Sequence, residues 1–234
     1  MFRAFLLAAA WLAGFAVSAV AQARAPMSAE AQARWAAVGR LNVAGAGQCT
    51  ATLIAPDLVL TAAHCLVHRV TGAVFRAEGL HFLAGWRMGD FAAHLRGAAV
   101  ALGDGAAGIE RDLALIRLRE PAPGTLAPLP AARRAVRAGE RVSVLGYGRD
   151  RAEALSMQAD CTVTGRAGAV LITDCEAVEG VSGAPVLRVG PEGAEVVGVV
   201  SARTGTRASG PGEALAVAVE RLLPALRAEL EAGR

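Results

Sequence analysis

The chain has 234 residues, 54% of them hydrophobic, which is enough to bury the core of one domain or two small ones and excludes a disordered chain. Its formal charge of +3 falls to +2 without residues 1–23, where Arg3 is the single charged residue, leaving 23 arginines against 21 acids. The arginines are scattered among acids rather than gathered in a stripe, which argues against nucleic-acid binding.

The first segment reads as an export signal. Arg3 supplies a short positive region, Ala4 to Val20 is almost wholly apolar, and Ala21-Gln22-Ala23 gives the small-x-small pattern that a signal peptidase requires. Cleavage is expected after Ala23, with an uncleaved anchor helix as the alternative. The mean hydropathy of +0.40 owes much to alanine and to this segment, and no later apolar run reaches the roughly 18 to 20 residues of a membrane span. The mature protein is therefore expected to be secreted or periplasmic, without stable membrane association, and to begin with an N-terminal extension over residues 24–34.

Export implies an oxidising compartment, where four cysteines are read as disulfides. Three pairings are possible; Cys49 with Cys65 and Cys161 with Cys175 would close one local loop in each half of the chain. A zinc site is the competing reading, but there is no CxxC spacing, so neither a metal nor another cofactor is expected.

Past the signal, short β-type runs alternate with glycine, proline and aspartate. Cys49–Ile54, Leu80–Ala84, Leu113–Leu118, Arg141–Leu145, Val170–Thr173 and Val196–Ser201 have strand length and turn residues at their ends, the pattern of antiparallel sandwiches or barrels. Between Glu120 and Gly139, Pro121, Pro123, Pro128 and Pro130 remove backbone donors a ladder needs, so residues 121–139 read as a linker between halves at 35–120 and 140–218. In the last segment, 219–234, Leu222, Leu223, Leu226 and Leu230 recur at helical spacing. A terminal helix is expected there, packed on the second half, with Pro224 in or near its first turn.

Three segments carry chemistry. Hydrolysis by an alcohol nucleophile needs a base, a carboxylate to orient it and donors for an oxyanion. His64 ends an apolar run at Leu60-Thr61-Ala62-Ala63-His64-Cys65, where a disulfide at Cys65 would fix the imidazole. Asp112 stands directly before the alternating strand Leu113–Leu118, with Asp90, Asp104 and Glu110 as the acids to consider in its place. Ser182 lies in Glu179-Gly180-Val181-Ser182-Gly183-Ala184-Pro185, where flanking glycines permit a tight turn that aims the N–H groups of Gly180 and Ser182 at one point. His68, His81 and His94 have no such context and read as structural or solvent-facing.

Taken in order, Thr-Ala-Ala-His-Cys, Asp-Leu-Ala-Leu-Ile-x-Leu and the serine turn resemble the chymotrypsin-like serine protease family, over about residues 35 to 231. The second cysteine pair looks like that of its small bacterial secreted members. The resemblance implies an all-β fold of two antiparallel β-barrels with a C-terminal helix, and an endopeptidase acting on polypeptides as a monomer through an acyl-enzyme. His64, Asp112 and Ser182 would be the triad, and the N–H groups of Gly180 and Ser182 the oxyanion hole. Gly146-Tyr147-Gly148 looks like the aromatic turn opening the second barrel, and Ser201, Ala202 and Arg203 would run beside the substrate backbone.

Two departures stand out. The family's Gly-Asp-Ser-Gly-Gly-Pro has Val181 and Ala184 in place of the aspartate and the second glycine, and no Arg/Lys-Ile/Val-x-Gly-Gly activation site lies between Ala23 and Trp35. Valine cannot pair with a released amine, so activation should need signal removal and at most trimming within residues 24–34. Glu176, six residues before Ser182, would sit at the floor of the side-chain pocket and favour basic substrates, whereas Arg203 opposite would favour acidic ones or neutralise Glu176. A protease-fold binding protein without turnover is the competing function. A serine esterase is disfavoured because its Gly-x-Ser-x-Gly elbow and Ser-Asp-His order are missing.

Overall fold

The computed structural model describes residues 23–103, 108–205 and 212–233. The expected signal up to Gln22 and the alternative acid Asp104 lie outside the described residues. A two-residue strand β1 (Ala25–Pro26) and a short helix α1 (Ala29–Ala33) precede the first barrel. That barrel is built from β2 (Val38–Val43), β3 (Gly47–Ala55), β4 (Leu58–Thr61), β5 (Leu80–Ala84), β6 (Ala93–Leu102) and β7 (Ala114–Leu118), closed in the order β2-β3-β4-β7-β6-β5. The second uses β8 (Arg141–Gly146), β9 (Ser156–Ala167), β10 (Val170–Ala177), β11 (Pro185–Gly190), β12 (Gly193–Arg203) and β13 (Gly212–Ala218). Its order is β9-β10-β13-β12-β11-β8, closed by β8 on β9, and α2 (Val219–Ala232) follows. The expected all-β, chymotrypsin-type pair of antiparallel barrels with a terminal helix is the observed fold. No described helix is long and apolar enough to cross a membrane.

Alternation explains the closure. In β6, Ala93 and Leu95 turn inward while His94 and Arg96 face solvent, so one face of each strand supplies the core. Leu41, Leu53, Val59, Phe82 and Ile116 fill the first barrel, and Val144, Val163, Leu171, Val186 and Val197 the second. A third apolar cluster, including Leu60, Leu115, Leu145, Tyr147 and Val199, lies where the barrels meet. Each such side chain contributes about 1.5–3 kcal/mol relative to exposure. Both expected disulfides are formed, Cys49–Cys65 and Cys161–Cys175.

One expectation needs correction. Helix α2 does not rest on the second half alone: it packs against β6 and β7 as well as β12, because Leu223, Leu226 and Leu230 belong to the cluster between the barrels. Pro224 is the sixth residue of this helix, near its first turn as expected. The segment 121–139 has one isolated bridge, Ala131 to Val196, and is pinned by Leu126 to the first core and by Ala132 and Val136 to the second.

Residues 24–34, the expected N-terminal extension, make specific contacts with both barrels. Strand β1 pairs with β9, and Met27 N–H donates to Leu155 O at 2.9 Å. The buried Gln32 donates from Nε2 to Gly85 O and Trp86 O at 3.1 and 2.7 Å, while its Oε1 accepts from Leu155 N–H at 3.2 Å. Removing one partner of a buried hydrogen bond costs about 1–3 kcal/mol per stranded group. Gln32→Ala should therefore lower the unfolding free energy in urea by about 2 kcal/mol or more, with the exposed Arg34→Ala as control; equal midpoints for both would show that the segment is not a clasp.

Candidate active site

Strand β4 ends at Thr61, and the chain passes through the buried Ala62 into a single 3-10 turn, Ala63–Leu66, that carries His64. Small side chains allow this turn to lie flat on the first barrel, and the disulfide ties its Cys65 to β3. Asp112 leaves another 3-10 turn, Ile109–Arg111, just before β7. The residue is 5% exposed, and its carboxylate accepts two hydrogen bonds from His64, from the backbone N–H to Oδ1 at 2.8 Å and from Nδ1 to Oδ2 at 2.6 Å. Ser201 Oγ, on β12 of the other barrel, donates to the same Oδ2.

Burial alone would push the Asp112 carboxyl upward, but the hydrogen bonds and charge of His64, then the Ser201 hydroxyl, outweigh it and hold the group below its ordinary 3.8. The bond to Nδ1 leaves Nε2 as the ring's other reactive nitrogen. It lies 3.8 Å from Cys65 Sγ, and His64 lines a cleft of about 650 Å³ that Gly180 and Ser182 also line. The sulfurs of Cys49 and Cys65 gather near His64 but are consumed in their mutual disulfide, so they offer no thiolate to a metal.

The Ser182 turn is clamped to the first barrel. Gly180 and Gly183 adopt φ of +92° and +82°, conformations that favour glycine, and a Cβ on Gly183 would lie 2.1 Å from Thr50 O and 2.2 Å from Thr61 Oγ1. Thr50 N–H donates to Ser182 O at 2.8 Å, and Thr50 Oγ1 donates to Gly180 O at 3.2 Å while accepting from Tyr147 N–H at 2.9 Å. Within the turn, Val181, Gly183 and Ala184 donate their N–H groups to Val178, Val200 and Val181. Among the described hydrogen bonds, none is donated by the N–H of Gly180 or Ser182. Val181 is fully buried in the second barrel's core, and Ala184 keeps a negative φ, the condition for its replacing glycine.

Beside Ser182 a pocket of about 110 Å³ is lined by Ala177, Val178, Glu179, Val200 and Ser201–Arg203. Glu176 is not among its lining residues; its Oε1 lies 3.9 Å from Arg24 Nη2. Of the other acids considered, Asp90 and Glu110 are exposed. His68 Nδ1 accepts from Val70 and Thr71 N–H in its own loop, and His81 and His94 meet each other at 2.8 Å on the outside of the first barrel. Nothing in the sequence separates Thr50 from Thr52, two residues along the same strand and equally buried, so the contacts of Thr50 across the interface are visible only in the structure.

A model of the trypsin family matches residues 27–225. The chain belongs to the trypsin family. It is similar to a solved structure described as "Structure of Glu endopeptidase in complex with MPD", with a TM-score of 0.70 and 17% identity over 84% of this chain and 91% of that one, a likeness of fold. No curated protein matches it. Family and fold are those of serine-type peptidases, whose substrates are polypeptides.

In this trypsin-family chain the lowered titration of Asp112 has a defined sign. Its stabilising contribution is fully present above the unfolded value near 3.8 and is lost as the pH falls through the lower folded value. Urea midpoints should accordingly drop below about pH 4, and Asp112→Asn should flatten part of that acid limb. An identical limb in the variant would mean that the carboxylate is not held by these bonds.

Proposed function

We propose that the chain is an exported serine endopeptidase that hydrolyses peptide bonds through an acyl-enzyme, with His64, Asp112 and Ser182 as its triad. The observation that carries this reading is the pair of hydrogen bonds from His64 to the buried Asp112, at a cleft that His64 and Ser182 both line. The carboxylate fixes the tautomer in which Nδ1 carries the proton, so Nε2 is free to take the proton of Ser182 Oγ. Oγ then bonds to the scissile carbonyl carbon, whose oxygen becomes the oxyanion between the N–H groups of Gly180 and Ser182.

Collapse of that intermediate returns the proton from Nε2 to the leaving amine and leaves the acyl group on Ser182. Water repeats the sequence: His64 takes its proton, hydroxide adds to the acyl carbon, and Ser182 leaves with the proton restored. Ser201, Ala202 and Arg203 on β12 offer the substrate backbone a strand edge, and the adjoining pocket receives one side chain. Glu176 lies 3.9 Å from Arg24 Nη2, which supports the reading that a cation of the chain itself, rather than a basic substrate side chain, answers its charge.

Two disulfides and the signal pattern of residues 1–23 support a secreted or periplasmic location. The burial of Val181 supports a serine turn held by packing, without the zymogen ion pair. A fluorophosphonate probe should label the wild-type protein and not Ser182→Ala. Ser182→Ala should lower kcat by about 10⁶ and Asp112→Asn by about 10⁴ with unchanged circular dichroism. A folded wild type that the probe leaves unlabelled would favour the inactive binding protein instead.

A further inference from the structure

Arg24 is the least exposed charged residue described, at 4%. Its Nη2 donates to Asp150 Oδ2 at 2.6 Å and lies 3.9 Å from Glu176 Oε1, and its own carbonyl accepts from Arg151 Nη1 at 3.0 Å. Nε and Nη1 are buried without a hydrogen-bond partner among the described residues. Leaving donors of a cation dry and unpaired is costly, so a fold that keeps them there uses the group for something other than stability alone.

The position of Nη1 says what. A Cβ on Gly148 would lie 2.8 Å from Arg24 Nη1, 2.8 Å from Val178 Cγ2 and 2.4 Å from Asp150 Oδ1, so the guanidinium is packed directly against the backbone of Gly148. The neighbouring Arg149 N–H donates to Glu179 O at 2.6 Å. A Cβ on Gly180 would lie 2.6 Å from Tyr147 O, 2.9 Å from Arg149 N and 3.2 Å from Gly148 C, so the serine turn rests on this same stretch. The chain of contact runs from the guanidinium through residues 148–150 to residues 179–180.

We infer that Arg24 is a positioning residue for the oxyanion-binding turn: its buried guanidinium, held by Asp150 and Glu176, props the 147–151 segment against which Gly180 is seated. This rests on the reading of Gly180 and Ser182 given above. Val181 supplies no charge to this region, and the guanidinium finds its carboxylates on the β8–β9 connection and on β10 instead. Because Arg24 directly follows the expected cleavage point, removal of the signal would leave this residue in place, whereas trimming one residue further would delete the prop.

The test compares the exported wild type with Arg24→Ala, Arg24→Lys, Asp150→Asn and a chain carrying two extra residues before Arg24, using fluorophosphonate inactivation to separate the maximal rate from probe affinity. Arg24→Ala should lose about 10- to 100-fold in the maximal rate, as for a donor displaced by a fraction of an ångström, with little change in affinity and an unaltered folded fraction. Guanidinium added well below denaturing concentrations should restore part of the loss, Arg24→Lys should fall between, and the extended chain should react like wild type. Asp150→Asn, at a half-exposed acid, should slow the maximal rate in the same direction and decides the matter if Arg24→Ala does not fold. Wild-type rates in Arg24→Ala or, where that variant is unfolded, in Asp150→Asn would overturn the inference, as would inactivity of the extended chain, which would assign the role to a free amine. An unreactive wild type would instead overturn the peptidase reading.

Discussion

The carboxylate of Asp112 joins the two barrels at the point where the candidate chemistry lies. It is buried, so its charge survives only because three donors replace its water: the backbone N–H and Nδ1 of His64 from the first barrel and Ser201 Oγ from the second. Any rotation of one barrel against the other would strand at least one of these groups. The geometry of His64 is thus a property of the interface, and the large apolar cluster between the barrels is what keeps that interface dry and closed.

A second polar seam runs parallel to the first. Thr50 contributes its N–H to Ser182 O and its hydroxyl to both Gly180 O and Tyr147 N–H, while Thr61 Oγ1 donates to Thr50 O at 2.9 Å. The first two contacts hold the serine turn against β3, and the last ties β3 to β4, the strand that leads into the His64 turn. The imidazole and the hydroxyl are therefore referenced to the same two strands, although the residues are 118 positions apart and belong to different barrels. Tyr147 adds a third tie, its phenol donating to Trp86 O at 2.8 Å, with burial raising its pKa.

Much of this was legible from residue types alone. Strands rich in large apolar residues, such as β5 with its leucines and phenylalanine and β8 with its valines and leucine, announce themselves, and the segments around His64, Asp112 and Ser182 carry unusual combinations of small residues, acid and glycine. Strands β6 and β13 did not stand out, because Ala93–Leu102 and Gly212–Ala218 are rich in alanine and glycine, residues with weak strand preference whose placement is set by pairing with neighbours. The seat of α2 is not legible for a related reason: helical spacing reveals an apolar face and says nothing about which surface covers it. The distance of Glu176 from Ser182 along the chain says nothing of its neighbours in space, and a guanidinium 152 residues earlier lies within 3.9 Å of it.

That last point extends to the whole N-terminal segment. Gln32 ties the Gly85–Trp86 turn of the first barrel to Leu155 of the second, and Arg24 reaches Asp150 and Glu176, so eleven residues without a strand longer than two make contacts on both sides of the interface. Polar side chains can do this where apolar ones cannot, because a hydrogen bond fixes direction and distance while apolar burial fixes only proximity. The molecule combines the two: hydrophobic contact brings the barrels together, and a small number of buried polar side chains from Arg24, Gln32, Thr50, Asp112 and Tyr147 selects one relative placement among the many that burial alone would permit.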